Sequence, residues 1–550
     1  MKVSSLNLKN IFSLLTMFAM TSCGLFNADK YDRKVVNHNE AKLNISESEE
    51  TSGGVILPSD VKLTYTRSKL NDDYLDGHKY IPSPMVGEES KTVKILVPLI
   101  HFQDSQIISS VNRATVEEKI EAAFQGENPF LSVKEFYKRA SNNLINLEFV
   151  LTDWYEVGNS GSCRDEVKTF SIIDEAVRNG KIDGNAINTN DFDSNKDGYI
   201  DAVYAIYDVH NFKNSKSENQ NLWAYTFDNA NAVANKSKSN ARNFSWASYD
   251  FLDEGYGEVL SDPHTLIHET GHLFGLWDYY DYNANVSPVC ALDMMDYNVC
   301  DDNAYSKMSL GWMNPYIVYG NATINAGELK KNNACVVILS DKNELTLEKS
   351  TNKYLFNPFN EYMLLEYFDF NEIANFVDLV SGYAPVKLEG NKSYTKSGYK
   401  LYHINNPQLL ITDSGDTKKS GFYYSNEYVE SKNSLLQNIV TNTTKGEKNR
   451  AETDFFDILG LEYIDDKFDY FNEITLIAKE TKHENSYEHL YVYIDENNEK
   501  KIENATNEFL FDKGDTFKPV NYKNYFVHGA KSNSLRFDNN ELFSTEIYFN

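Results

Sequence analysis

The sequence is short of basic residues, short of cysteine, and has no apolar run long enough to cross a bilayer. Lys and Arg number 53 against 81 Asp and Glu, a net charge of −28 over 550 residues. A surface that acidic argues against nucleic acid as a partner, because phosphate recognition needs clustered Lys and Arg. Cysteine occurs 5 times and never as a CxxC pair, which argues against a thiolate zinc site. What is present is ordinary for a globular chain. Hydrophobic residues make up 41% and charged residues 24%, enough for a sizeable core in roughly two to four domains.

The N-terminus reads as an export signal. In MKVSSLNLKNIFSLLTMFAMTSCG, Lys2 and Lys9 precede an apolar run from Ile11 to Met20, and small residues then lead to Cys23. The run is too short to span a membrane and has the layout of a signal peptide. Met20-Thr21-Ser22-Cys23 resembles a bacterial lipoprotein box, which implies a lipid on Cys23 and a place on the bacterial cell surface. A signal peptide over 1–22 is therefore expected, then a polar tether over 23–54 and an N-terminal segment over 55–90. The tether has too few apolar residues to pack. Cys163, Cys290, Cys300 and Cys335 remain. Cys290 and Cys300 bracket a short loop and are the pair an exported protein could close into a disulfide.

From Lys91 the chain alternates strand-like and helix-like patterns. KTVKILVPLIHF and LINLEFVLTDWYEV read as strands, TVEEKIEAAF and SVKEFYKRAS as helices. An α+β domain is expected over 91–315. Beyond Pro315, segments such as EYMLLEYFDF, SGYKLYHINN, EITLIAKE and HLYVYIDE alternate between turns, so 316–550 is expected to be mostly β and sandwich-like.

LIHETGHLFGLWDYYDY, Leu266 to Tyr282, carries the chemistry. Asp262 or Ser261 can cap a helix opening at Pro263, with Leu266, Ile267, Leu273 and Phe274 on its buried face and Gly275 ending it in a left-handed turn. His268 and His272, four apart, lie one above the other on that helix, so both imidazoles reach one ion with Glu269 beside them. His264 is too far along the axis, about 12 Å for eight residues. The third ligand must return from beyond Gly275: Asp278 is the first carboxylate there, and Asp281 the alternative. Two histidines and one carboxylate leave a fourth position for water, as a catalytic zinc requires. Downstream in CALDMMDYN, Met295 is placed for a methionine turn of the kind that passes beneath the zinc in metzincins. Tyr297 is a candidate to bring a phenol to the metal or the oxyanion, as against a packing role.

A second ion is expected at DSNKDGYID. Asp193, Asn195, Asp197, the Tyr199 carbonyl and Asp201 place oxygens in the order of a calcium loop, with Gly198 at its turn. Position 12 is Tyr204 and not Glu, so the bidentate ligand is missing or comes from elsewhere.

HETGHLFGLWDYYD, DMMDYN and AYSKMSLGWMNP, with SVKEFYKRASNNLINLEFVLTDWY, DSNKDGYIDAVYAIY, WASYDF and EYMLLEYFDF followed by GYKLYHI, resemble the immune inhibitor A family of bacterial zinc metallopeptidases. The resemblance runs over about residues 91 to 405. It implies a metzincin-like catalytic domain followed by β-rich domains, with His268, His272 and Asp278 as zinc ligands and Glu269 as catalytic base. The resulting expectation is a membrane-anchored zinc endopeptidase acting on protein or peptide substrates. The competing expectation is a surface-binding lipoprotein whose protease site is vestigial.

Overall fold

The computed structural model describes residues 54–369 apart from gaps, the longer ones being 67–79, 211–221, 253–260 and 280–292, then 397–405 and short strands as far as 549. Cys23, Asp281, Cys290 and the segment HLYVYIDE lie outside the described residues.

Two short strands, β1 (Gly54–Ile56) and β2 (Val61–Leu63), open the described chain. The expected Val- and Ile-rich stretch is split by Pro98 into β3 (Lys91–Val97) and β4 (Leu99–Phe102). Helices α1 (Arg113–Phe124) and α2 (Val133–Ala140) follow, the second capped by the Ser132 hydroxyl, which accepts from the Glu135 amide. Next come β5 (Ile145–Leu151), β6 (Tyr155–Val157), α3 (Glu166–Asn179) and a small hairpin of β7 (Lys181–Ile182) and β8 (Asn185–Ala186). Strands β9 (Val203–Tyr207), β10 (Tyr225–Asp228) and β11 (Asn243–Ser248) complete the first sheet.

That sheet runs β10-β11-β9-β3-β5, with β4 beside β9 and β6 beside β4. All its pairings are parallel except β10 with β11, so β10 is an antiparallel edge strand. Both faces are covered, as a mainly parallel sheet requires. Ile173 and Val177 of α3 pack on one face with Tyr207 and Trp246, whereas α1 and α2 pack on the other with Ile95, Tyr204 and Ala247.

Three helices carry the expected site: α4 (His264–Leu273), the single turn α5 (Met294–Tyr297) and α6 (Ala304–Ser309). Helix α4 opens one residue later than the sequence suggests. Pro263 takes the capping position and offers no side-chain bond, Ser261 Oγ turns to the Lys119 carbonyl, and Asp262 Oδ1 accepts from the His264 amide.

The β-rich part begins with β12 (Tyr316–Tyr319), β13 (Ala322–Asn325), α7 (Gly327–Lys331) and β14 (Val336–Leu339). It continues through β15 (Thr346–Glu348), β16 (Lys353–Phe356), β17 (Glu361–Phe368) and β18 (Gly398–Asn405). A six-stranded sheet orders β1-β12-β14-β17-β18 and then Leu436–Ile439. Its two faces belong to different cores. Ile317, Val337, Leu364 and Tyr402 join the core that contains Leu266 and Met295, while Val318, Val336, Leu365 and Leu401 join a second core with Ile547 and Phe549. Successive strand residues point to opposite faces, and burial on both sides explains why VVIL and MLL read as unbroken apolar runs. The second core lies between this sheet and a four-stranded one made of β13, Glu473–Ile477, Glu546–Phe549 and Thr516–Phe517.

Packing therefore crosses the boundaries drawn from sequence. β1 pairs antiparallel with β12 and β2 pairs parallel with β16. The Ile81 amide donates to the Leu273 carbonyl at the end of α4, and Trp312 Nε1 donates to Ser83 Oγ. Position 315 marks a change of sheet within a shared core.

Candidate metal centre

Helix α4 is buried on nearly every side, with Leu266, Ile267 and Leu273 at 0% exposure. It ends in a Schellman motif: the Gly275 amide donates to the His272 carbonyl and the Leu276 amide to the Gly271 carbonyl. Gly275 has φ +94°, the left-handed conformation that only glycine adopts without strain. The reversal brings Asp278 back against the helix, which is where the third ligand was expected.

His268 Nε2 and His272 Nε2 lie 3.1 Å apart, and Asp278 Oδ1 lies 2.9 Å from the first and 3.4 Å from the second. Among the described residues this is the one group of three or more His, Cys, Asp or Glu side chains gathered closely enough for a metal ion. Tetrahedral ligands about 2.0–2.1 Å from zinc sit about 3.3 Å from one another, so the three separations match the edges of such a site. His268 is nearly fully enclosed, whereas the His272 and Asp278 side chains keep 19% and 12% exposure, so among the described residues solvent reaches the triad on their side.

The outer nitrogens settle which tautomers are present. His268 Nδ1 donates to the Met294 carbonyl and His272 Nδ1 to the Leu276 carbonyl, both at 2.8 Å. A carbonyl only accepts, so each Nδ1 carries a proton, which leaves Nε2 as the atom that would offer a lone pair to a metal. Two lone pairs and a carboxylate converging at about 3 Å require a cation between them. Without a metal that cation is a proton. Burial opposes charge on His272, but Asp278 outweighs it and raises the imidazole to about 9. Burial likewise opposes charge on Asp278, yet the two imidazoles hold it far below the usual carboxylate range. The residues thus fit a divalent metal in donor set, spacing and charge.

Glu269 is 6% exposed, and its Oε2 accepts a 2.9 Å hydrogen bond from Thr226 Oγ1 on β10. Thr226 Oγ1 is itself 2.6 Å from Ser245 Oγ on β11. Burial pushes the Glu269 carboxyl above its ordinary range, partly offset by the charges of His272 and His268 and by the Thr226 bond. A carboxylate held this way, within the field of the triad, suits proton transfer.

Met295 is fully buried, and its Sδ lies where a Cβ on Gly271 would fall, 2.4 Å from that built position. Met295, the residue expected for a methionine turn, therefore packs directly on α4 at Gly271. Tyr297 closes α5, but its side chain lies outside the described residues. His264, set aside from sequence, pairs instead with Asp262 through Nδ1 at 2.6 Å. Three contributors had no signal in the motif: Thr226, and the carbonyls of Met294 and Leu276. The first lies 43 residues from Glu269, and backbone acceptors leave no trace in residue type.

The loop Asp193–Asp201 folds around its own amides. Asp193 accepts from the amides of Asp197 and Gly198, Asn195 and Asp197 from those of Asp197 and Tyr199, and Asp201 from that of Ser194. Burial raises the Asp201 carboxyl to about 6. Asp193, Asp197 and Asp201 do not bring three carboxylate oxygens within 4.8 Å of one another.

No family model matches the chain, and no curated protein matches it. Among solved structures it is similar to metalloproteinase-II from Bacteroides fragilis, at 12% identity and a TM-score of 0.21, over 44% of this chain and 60% of that one. The chain thus spans less than two thirds of that protein, and so slight a likeness carries no weight for function. Resemblance to the immune inhibitor A family stands on the sequence motifs alone.

Proposed function

We propose that the chain is a zinc-dependent endopeptidase of zincin type, cleaving peptide bonds in protein substrates. The observation that carries this reading is the triad His268, His272 and Asp278, gathered closely enough for one ion and partly exposed at His272 and Asp278, with Glu269 beside it. Bound zinc would supply a Lewis acid that lowers the pKa of a water and polarises a carbonyl. The protein's own part is positional. The Met294 and Leu276 carbonyls aim the two imidazoles, and Thr226 holds Glu269. Glu269 takes the proton from the attacking water and passes it to the departing amine. β10 borders the site as an edge strand, so an extended peptide can add to it by main-chain hydrogen bonds.

The test uses the detergent-solubilised full-length chain with casein, with and without a chelator, beside Glu269→Gln. Wild type is expected to cleave and to stop with chelator, and the variant to keep its zinc while losing about 10²–10⁴-fold in rate. Zinc bound by both and cleavage by neither would sink the peptidase reading and favour a binding lipoprotein. An intact, buried and hydrogen-bonded Glu269 already argues for catalysis.

Two further parts of the reading rest on sequence. Lipid on Cys23 would anchor the protein to the outside of a bacterial membrane, and Cys23→Ala should then move it to the aqueous phase on detergent partition. Calcium at Asp193–Asp201 is a structural ion, supported by the order of its oxygen donors and by the positive φ of Lys196 and Gly198. Added calcium should raise the melting temperature of wild type and not of Asp193→Ala.

A further inference from the structure

Taking the triad as a metal site, we infer that Asp293 and Glu366 are positioning residues through which the β-rich half holds the metal ligands in place. The Met294 carbonyl that aims His268 belongs to α5, a helix of one turn that cannot hold itself by its own ladder. Asp293 fixes it. Its Oδ1 accepts from the Met295 amide and its Oδ2 from the Asn303 amide, both at 2.8 Å, with the side chain wholly buried. One carboxylate thus joins the start of α5 to the start of α6.

Helix α6 also reaches the other side of the triad. Asn303 Oδ1 caps it by accepting from the Ser306 amide, and Ser306 Oγ lies 2.7 Å from the phenol of Tyr279. Tyr279 follows the ligand Asp278 directly, and its amide donates to the Met295 carbonyl at 2.8 Å. Two ligands therefore trace back to α6, His268 through Asp293 and Asp278 through Tyr279.

What holds α6 comes from β17. Glu366 Oε2 accepts from the Ala304 amide, and Oε1 accepts from Tyr402 at 2.8 Å and lies 3.4 Å from Lys400 Nζ. Glu366 and Lys400 face each other across β17 and β18 and are nearly enclosed. They project from the sheet face that shares the core with α4, the same face as Leu364 and Tyr402. Two buried carboxylates, each spent on backbone amides, are a costly way to join helices whose apolar contacts would serve for stability alone. They fix direction, and a metal ligand needs direction.

The experiment measures zinc affinity by chelator competition, and the visible spectrum of the cobalt-substituted protein, for the full chain and three variants. Asp293→Asn keeps one acceptor but turns a donor toward the Asn303 amide. It should weaken zinc 10–100-fold, as loss of supporting bonds around a metal does, and shift the cobalt bands. Glu366→Gln should move both readouts the same way, and carries the test if Asp293→Asn does not fold. Tyr399→Phe, which removes a bond to the Ala326 carbonyl on the opposite face of β18, should lower melting temperature without touching either. Zinc affinity within twofold of wild type and unchanged cobalt bands in the folded Asp293 or Glu366 variant overturn the proposal, as does equal zinc loss in Tyr399→Phe. A wild type that takes up no zinc overturns the metal reading and this proposal with it.

Discussion

At the scale of single residues, the triad makes a prediction about protons. Its two Nε2 lone pairs and the Asp278 carboxylate hold a proton when no metal is present, and His272 is raised to about 9 from an ordinary 6.5. The sign follows. The group gives stability in full below pH 6.5 and loses it as pH rises through about 9, so the metal-free protein at pH 7 still carries that proton. Zinc must displace it, and about one proton should be released per zinc at neutral pH. Calorimetry in buffers of differing ionisation enthalpy reads this directly, and zinc uptake without proton release would contradict it. Gly271 is equally particular. A Cβ there would meet Met295 Sδ at 2.4 Å and Tyr137 Oη at 3.1 Å inside a filled core. Gly271→Ala should cost about 1–3 kcal/mol in stability and weaken zinc, because it pushes on the turn whose neighbouring carbonyl aims His268.

At the scale of elements, the end of α4 depends on a segment far away in sequence. Gly275 meets the ring of Tyr80, and the Ile81 amide satisfies the Leu273 carbonyl. The residues before β3 read from sequence only as an N-terminal segment over 55–90, yet β1 and β2 are woven into the β-rich sheets. Removing residues 1–53 should leave a folded, zinc-binding protein, while removing 1–90 should not. Far-UV circular dichroism and zinc content separate the two, and a folded 91–550 fragment with full zinc would refute the claim. The elements themselves were largely legible beforehand. Val133–Ala140 announced itself through helical spacing, and Ile145–Leu151 through alternation. The start of α4 was misplaced by one residue because Asp262 turned to the His264 amide and Pro263 gave no side-chain cap.

At the scale of the whole molecule, the sheet from β1 to β18 is a wall between two cores, and that makes the β-rich half part of the site's foundation. A chain ended after residue 315 would strip Ile317, Val337, Leu364 and Tyr402 from the core that contains Leu266 and Met295 and lose Glu366 as well. It should fail to fold or to bind zinc; a stable, zinc-loaded 54–315 fragment would show instead that the first core suffices. Sequence by itself placed His268 over His272 through helical periodicity. It put the third candidate ligand just beyond a glycine that must take a left-handed turn, with Asp278 first and Asp281 as the alternative; the structure brought Asp278 to the two histidines. Sequence determined the strands too, because alternation of side chains is local. Only the tertiary structure decided what aims those ligands: Thr226 on a distant strand, two backbone carbonyls, and Asp293 and Glu366 linking helices to a sheet. These contacts join residues up to dozens of positions apart, or use backbone atoms that every residue possesses, and so no local pattern in the sequence encodes them.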